Sequence, residues 1–583
     1  MASSSRTFNA VHALRGLALS HLGGALLATI LCLTGASAFA VRAEIGYDDL
    51  VNEYTGLLPD GSGVNIGMVE AENLGIAGQY MPNVNNSELV DVTFINGSSS
   101  QFPSPTTSNH ATMMALWITG DTLGIATKVP QITVYEADYF LNSVLRLSPS
   151  NAGAPLAPSY KVLNNSWVGA FEDDANNVEA LGRLDYLANT YDVIVPAGVY
   201  NGSANAPFEL LSYAYNVISV GRTDGNHTRG PTDLAGYGPG RLKPEIVGPR
   251  DTTSANTAVV SSVATMLYQS ATDTVHFPSA DPQAAKSETM KAILMAGATK
   301  QEFPTWENAS PTQPLDTIYG AGEVNVYNSF FIQQGGQFDG QSTSGGARMG
   351  DYGWDYGELS QGGSLFYELE VPDFYTGGEL SVVLAWNALV TDGNSGAAFD
   401  PVLNLANLDL KLYDEQGLLT GSPLAISESN VDNVEHIYLP ETPVGKYTLE
   451  VLYNTTDNLG APPSLQDFGI AWRLDSEAPY RATGDYNQDG VVDSADYTLW
   501  RDLLGSSIDL AADGDLNGVV DQGDYLVWQN AFGSTHTPPM VTITSLTTLS
   551  AAASQAVGSP EPAAAVMLAT LFAAGLLAPR RSR

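Results

Sequence analysis

Residues 108–120 read SNHATMMALWITG, a polar Ser-Asn pair followed by an apolar run at helical spacing, with His110 at the entry. A histidine there is either a helix-start residue or a base displayed at a helix end, and the flanking segments decide between the two. Upstream, GSGVNIGMVEAE (61–72) predicts a short buried strand over 64–69, entered by Gly61 and Gly63 and ending at Glu70. Downstream, KVLNNSWVG, YDVIVPAGVYNGSA and AYNVISVG are strand-like runs that end in small or polar residues, and helical stretches such as 176–191 separate them. Strands alternating with helices predict a parallel sheet covered on both faces. Sites on such sheets lie at the carboxyl ends of strands, where Glu70 and Asn201 fall.

Further on, RLKPEIVGPRDTTSANTAVVSSVATMLYQ (241–269) closes a loop at Pro249. It places Ser254 near the start of a helix whose apolar face holds Val259, Val263, Met266 and Leu267. A serine at that position is either an N-cap or a nucleophile whose developing oxyanion the helix amides would stabilise. The chain order acid, histidine, serine is Glu70, His110, Ser254. On these residues the segment 45–334 resembles the subtilases, the subtilisin-like serine peptidases. GVNIGMVE is similar to the strand leading to the family's acid, and NHATMMALWITG to the helix carrying its base. LKPEIVGP and TSANTAVVSSVATML are similar to the nucleophile loop and helix, and SETMKAILMAGATK and YGAGEVNVYNS to the closing segments.

The resemblance implies Ser254 as nucleophile, His110 as general base, Glu70 as the group holding the imidazole, and Asn201 as the oxyanion donor. The segment 166–168 would be the edge along which a peptide pairs. Four departures accompany it. The acid is Glu rather than Asp, and Glu72 lies on the same side at period two. The serine motif reads Ser-Ala-Asn-Thr-Ala. Ala197-Gly198-Val199 stands where the family has Ala-Gly-Asn, so Asn201 needs a two-residue adjustment. Residues 44–63 are too short for a folded pro-domain. A histidine base at its reference value predicts activity rising around pH 6 to 7. The one other histidine between Glu70 and Ser254, His227, reads as part of a polar Gly-rich turn.

The 583 residues carry 63 acidic against 24 basic side chains, a net charge of −39, with 44% hydrophobic content. Length and hydrophobicity call for several cores. The charge argues against nucleic acid and anionic lipid as partners and favours binding of cations. Residues 1–43 read as a signal peptide, with Arg6 and Arg15 ahead of an apolar stretch and Ala38-Phe39-Ala40 as a cleavage site. Cys32, the only cysteine, lies inside it, so the exported chain would carry no disulfide or thiol. At the other end SPEPAAAVMLATLFAAGLLAPRRSR places Pro560-Glu561-Pro562, a short apolar run and an arginine cluster in sequence. Residues 560–583 resemble the PEP-CTERM sorting signal. That implies a transient transmembrane anchor, a tail-processing enzyme as partner, and a destination in the cell envelope or matrix.

DYNQDGVVDSADYTLWRDLLG (485–505) and DGDLNGVVDQGDYLVWQNAFG (513–533) form an internal repeat. Each spaces oxygen ligands as a calcium loop does, with Gly at the sixth position. The first offers Asp485, Asn487, Asp489, the Val491 carbonyl, Asp493 and Asp496. The second offers Asp513, Asp515, Asn517, the Val519 carbonyl, Asp521 and Asp524. With Asp closing both loops, 484–534 resembles a dockerin type I module, which implies two bound Ca2+ ions, an α-helical fold and a cohesin-type partner. Between the two regions, a Gly/Ser-rich linker (335–347) leads to alternating runs over 348–476 that predict a helix-free β-sandwich. That block resembles the jelly-roll domain that follows some subtilase domains. A Thr/Ser/Ala-rich linker spans 535–559.

The expectation is a secreted serine endopeptidase acting on protein or peptide substrates, attached to extracellular assemblies through its calcium loops. Its rivals are an inactive subtilase-fold binding protein of the envelope, and a component of a polysaccharide-degrading system. The last would need a carboxylate pair across a cleft, to which no sequence feature points.

Overall fold

The computed structural model describes residues 8–10 and 41–534 apart from 55, 73–75, 149–151, 203–208, 301, 309, 346–348, 372–377, 395, 397, 476–483, 488–490, 507–511, 513 and 515–518. The expected linker 535–559 and sorting tail 560–583 lie outside the described residues, as does most of the expected signal peptide 1–43. Among the described residues no helix is long and apolar enough to cross a membrane. The chain divides into two compact units, Met1–Pro479 and Tyr480–Arg583.

The first unit is built on seven parallel strands: β1 Asn65–Glu70, β2 Thr93–Asn96, β3 Gln131–Glu136, β4 Val162–Asn165, β5 Pro196–Gly198, β6 Ile218–Arg222 and β7 Ile246–Gly248. Their order across the sheet is 7-6-5-4-1-3-2. The order reverses at β1, and such a reversal opens a crevice beyond the carboxyl ends of the strands. β1 reads as an uninterrupted apolar run because it is covered on both faces. Ile66, Met68 and Val69 are all fully buried. Gly67 is required by close approach, since a Cβ there would come within 2.7 Å of Leu163 Cδ1 and 2.9 Å of the Tyr160 ring.

Helices cover both faces. α1 Asn109–Thr119, α3 Thr253–Thr272, α4 Ser287–Ala296 and α5 Val326–Gly335 bury Trp117, Val259, Val263, Met266, Ile293 and Phe330 in one cluster with Ile66 and Met68. On the opposite face α2 Asp174–Tyr191 buries Leu181, Leu184 and Leu187 against Val69, Leu163 and Val195.

Eight of the strands that follow build two further sheets: β8 Tyr352–Ser360, β9 Ser364–Val371, β10 Gly378–Ala385, β11 Leu408–Asp414, β12 Ala425–Ser427, β13 Val434–Thr442, β14 Gly445–Tyr453 and β15 Leu465–Asp475. They form two four-stranded antiparallel sheets, ordered 8-15-10-13 and 9-14-11-12. Alternate residues such as Tyr367, Leu369, Leu449, Val451, Ile470 and Trp472 turn into one apolar cluster between the sheets. The expectation of a helix-free β region needs one correction: Glu415–Thr420 forms a short helix, started by the Asp414 side chain accepting from Gly417 N. These sheets share the compact unit with the parallel sheet. At Gly469 of β15 an added Cβ would meet Thr289 Cα of α4 at 2.4 Å, so strand and helix touch backbone to backbone.

The second unit holds α6 Ser494–Leu503 and α7 Gln522–Ala531. Each starts with a reciprocal cap in which an Asp side chain and the Asp three residues on satisfy each other's amides, Asp493 with Asp496 and Asp521 with Asp524.

Candidate active site

Glu70 ends β1 beside the reversal point and is fully buried. α1 starts after Ser108, whose hydroxyl accepts from Ala111 N at 3.2 Å, and this fixes the entry that holds His110 at the second helical position. His110 is 38% exposed, and its Nδ1 lies 2.6 Å from Glu70 Oε2. A carboxylate can only accept, so Nδ1 carries the proton and Nε2 keeps its lone pair. Partial burial of the ring lowers its pKa. The charge of Glu70 and the hydrogen bond to it outweigh that, and the imidazole is left above its ordinary value. The other carboxylate oxygen, Glu70 Oε1, is buried with no hydrogen-bond partner among the described residues. Glu72, the competing acid of the sequence, accepts instead from the backbone N–H of Gly78.

Ser254 is the second residue of α3 and is half-buried. The first-turn amides around it are spoken for. Thr253 N–H donates to Asn201 Oδ1 at 2.8 Å, and Ala255 N–H donates to the Thr252 hydroxyl at 3.2 Å. The Ser254 N–H has no intramolecular acceptor among the described residues, which makes it the open amide of this helix end. With its carboxamide oxygen engaged, Asn201 has its NH₂ left as a donor, one residue from Ser254. The Ser254 N–H and the Asn201 amide are both donors of the kind that can stabilise an oxyanion.

The Ser254 hydroxyl does not hydrogen-bond to His110. It donates to the Ser166 carbonyl at 3.1 Å, while Ser166 Oγ donates back to the Ser254 carbonyl at 3.0 Å. Helices α1 and α3 are nonetheless braced together. Ser262 Oγ of α3 donates to Ile118 O of α1 at 2.6 Å, and the Arg250 guanidinium lies 4.7 Å from the Trp117 ring. One positioning residue was visible in the sequence only as a departure. Asn256 accepts from Arg250 N at 2.7 Å and donates to Gly221 O at 2.9 Å, tying the loop before Ser254 to the end of β6.

His227, in its polar Gly-rich segment, is fully buried. Its Nδ1 accepts from Arg222 N at 3.1 Å, and its Nε2 donates to Ile318 O at 2.9 Å. Burial pushes it down to about 4, so it stays neutral and serves the fold.

In the second unit, Asp489, Asp513, Asp515 and Asn517 of the expected calcium ligands lie outside the described residues. Of the others, Asp485, Asp496 and Asp524 are fully buried. Asn487 N–H and Asp493 N–H both donate to Asp496, and Asp521 N–H donates to Asp524. Val491 and Val519, whose carbonyls are expected ligands, are both exposed. No three described His or carboxylate side chains converge as a metal site. The repeats grip each other reciprocally. Trp500 Nε1 donates to Asp521 O and Trp528 Nε1 to Asp493 O, both at 2.8 Å. Val492 pairs with Gly533 and Ser534 as Val520 does with Gly505 and Ser506.

No family model matches the chain, and no curated protein matches it. Among solved structures it is similar to the serine protease of Aeromonas sobria, at 11% identity, covering 71% of this chain and 88% of that one with a TM-score of 0.31. It is also similar to the epidermin leader peptide processing serine protease of Staphylococcus aureus, at 13% identity, 51% and 81% coverage and a TM-score of 0.35. A third is fervidolysin from Fervidobacterium pennivorans, described as a keratinolytic enzyme related to subtilisin, at 12% identity, 66% and 59% coverage and a TM-score of 0.30. The functional reading rests on the geometry of the site itself.

Proposed function

We propose that the chain is a secreted subtilisin-like serine endopeptidase. The carrying observation is the Glu70–His110 pair at 2.6 Å, set at the reversal point of the sheet and braced to the helix that presents Ser254. A peptide pairing along 166–168 would offer an N–H to the Ser166 carbonyl, and the Ser254 hydroxyl would turn from that carbonyl to His110 Nε2. As Oγ attacks the scissile carbonyl, Nε2 takes its proton and Glu70 stabilises the imidazolium. Ser254 N–H and the Asn201 amide take the oxyanion, and the proton then passes from Nε2 to the leaving amine.

The Ser254–Ser166 contact is also what an inactive binding scaffold would show, and that is the second reading. The test is hydrolysis of a denatured protein substrate by the full chain beside its Ser254→Ala variant. Hydrolysis lost with Ser254 supports the peptidase. Equal rates, or none from either, leave the scaffold.

For the second unit the reading is a calcium-binding dockerin with a cohesin-type partner. Three buried carboxylates sit in a unit whose single described basic side chain, Arg501, is exposed and pairs with Asp502. An all-oxygen donor set of carboxylates suits Ca2+. Asp485, Asp493, Asp496, Asp521 and Asp524 would hold it with the ligands of the undescribed loop residues. The strand orders of the antiparallel sheets fit a jelly roll, with chain neighbours passing between the sheets at most steps. Export, tail processing and an envelope or matrix destination complete the proposal, on the sequence of the two ends.

A further inference from the structure

We propose that the antiparallel sheets carry a cation site of their own, in which Asn407 and Asp409 on the outer face of β11 bind a calcium ion. It uses no residue of the peptidase site or of the calcium loops in 484–534. Leu408, Leu410 and Leu412 of β11 point into the apolar cluster between the sheets. Asp409 lies between them in sequence and so turns to the opposite face. The ladder between β11 and β14 pairs Leu408 with Tyr453, and it continues one step further, Asn454 N–H donating to Asn407 O at 2.8 Å. Asn407 therefore shares the face of Asp409, two residues away. Asn407 is 6% exposed and Asp409 2%. Each keeps one buried oxygen with no hydrogen-bond partner among the described residues, Asn407 Oδ1 and Asp409 Oδ1.

The other atom of each side chain is held by one turn, the segment 454–458 that follows β14. Asn407 Nδ2 donates to Thr456 O at 3.2 Å, and Asp409 Oδ2 accepts from Asn454 Nδ2 at 3.1 Å. Asn454 Oδ1 accepts from Thr456 N at 3.1 Å, and Asn407 N–H donates to Asn458 Oδ1 at 2.9 Å, so the two anchor points are fixed to each other and to the strand. A carbonyl can only accept, so the Asn407 atom facing Thr456 O is the NH₂ and the idle atom is the amide oxygen. The result is two idle acceptors on one face with no donor between them. The one hydrogen bond that Asp409 accepts among the described residues comes from an uncharged amide. Burial raises its carboxyl above the usual range. The Asn454 bond and Lys411 pull it down, while Glu428 and Glu450 push it up. A water could donate to both oxygens but would offset no charge. A hard cation does both, and a carboxylate with an amide oxygen and water ligands is the oxygen shell that calcium takes. One carboxylate makes this a weak site, of the ~10⁻⁴–10⁻³ M class found in extracellular modules. The ladder hydrogen bonds hold the sheet without it, so loss of the ion loosens the site and does not unfold the first unit.

The test uses the full chain, with calcium ions counted by equilibrium dialysis at millimolar free calcium and the thermal transition of the first unit followed with calcium and with chelator. Asp409→Asn is expected to bind one ion fewer than the wild type. Calcium should raise the first unit's transition in the wild type and leave it unmoved in Asp409→Asn. Asn407→Asp, which adds a second carboxylate, should keep the ion count and tighten the weak site about tenfold. Calcium-dependent protection of 484–534 from protease reports the other loops and should be the same in all three chains. If those loops bind nothing, the wild type still binds one ion and Asp409→Asn none, so the two calcium readings fail separately. Equal ion counts in the wild type and Asp409→Asn, or a first-unit transition that calcium moves equally in both or in neither, would overturn the site. So would an unchanged affinity in Asn407→Asp.

Discussion

Two histidines stand near the carboxyl end of the same sheet and have opposite fates. His110 is partly open, bonded to a carboxylate through one nitrogen and idle at the other. His227 is fully buried, with both nitrogens spent on backbone groups. The first is raised by the charge of Glu70 and the second is lowered to about 4 by burial. A histidine becomes a base where the fold leaves one nitrogen unemployed beside an anion, and a structural post where the fold employs both.

The sharpest way to break this contrast is to remove each ring in turn. His110→Ala should lower any peptidase rate by about 10⁵–10⁶-fold, because a triad acts as a unit, while the thermal transition stays nearly unchanged. Kinetics and calorimetry on one preparation check both halves. Next, Glu70→Gln should cost about 10⁴-fold by favouring the wrong tautomer, and its pH profile should move to lower pH as the anion that raises His110 is lost. Glu72→Gln, which touches the Gly78 amide and not the imidazole, should leave the profile in place. An unmoved profile in Glu70→Gln would detach the acid from the base.

His227→Ala should act on stability, at about 2–4 kcal/mol, by orphaning the Arg222 amide and the Ile318 carbonyl. The same residue makes the fold acid-sensitive. Its folded value lies near 4, below the ordinary 6.5, so the unfolded chain takes up the proton first and stability falls as pH drops from 6.5 toward 4. The loss amounts to about 3 kcal/mol at the bottom of that window, and it should be missing in the variant. Denaturant melts at pH 7 and pH 5 for both chains test the sign. The smallest effect expected on the proposed peptidase activity is that of calcium removal. Chelation in the full chain should open 484–534 to proteolysis and leave the first unit protected. Equal protection with and without calcium would contradict the proposed ligand set.

Much of this contrast could be read from the chain, and the reasons for the rest are physical. The run ending at Glu70, the capped start before His110 and the serine at a helix entry are local patterns, and local patterns survive in sequence. In the second β region the alternating runs mark six of the sheet strands, and β8, β12 and the hairpin strands Leu389–Asp392 and Pro401–Asn404 are not legible in the same way. YGWDYGELS hides its alternation behind glycines, and Ala425–Ser427 is too short to carry a period. The burial of His227 is not legible in the chain because it depends on distant partners. Ile318 O takes its Nε2, and Gly221 leaves it room, since a Cβ there would lie 2.9 Å from His227 Nε2. Asn256 stands in the serine motif, but its role comes from segments that meet only in the fold, at Arg250 and Gly221.

The central claim is that Ser254 is a nucleophile served by His110, although its hydroxyl rests on Ser166 in the free chain. The most direct measurement is the rate at which a neutral fluorophosphonate labels Ser254 between pH 5 and 9, in the wild type and in His110→Ala. The account predicts labelling mapped to Ser254, rising with one ionisation whose midpoint lies above 6.5, as the raised imidazole requires, and a flat, far slower rate in His110→Ala. Labelling equal in the two chains, or absent from both at every pH, would contradict it.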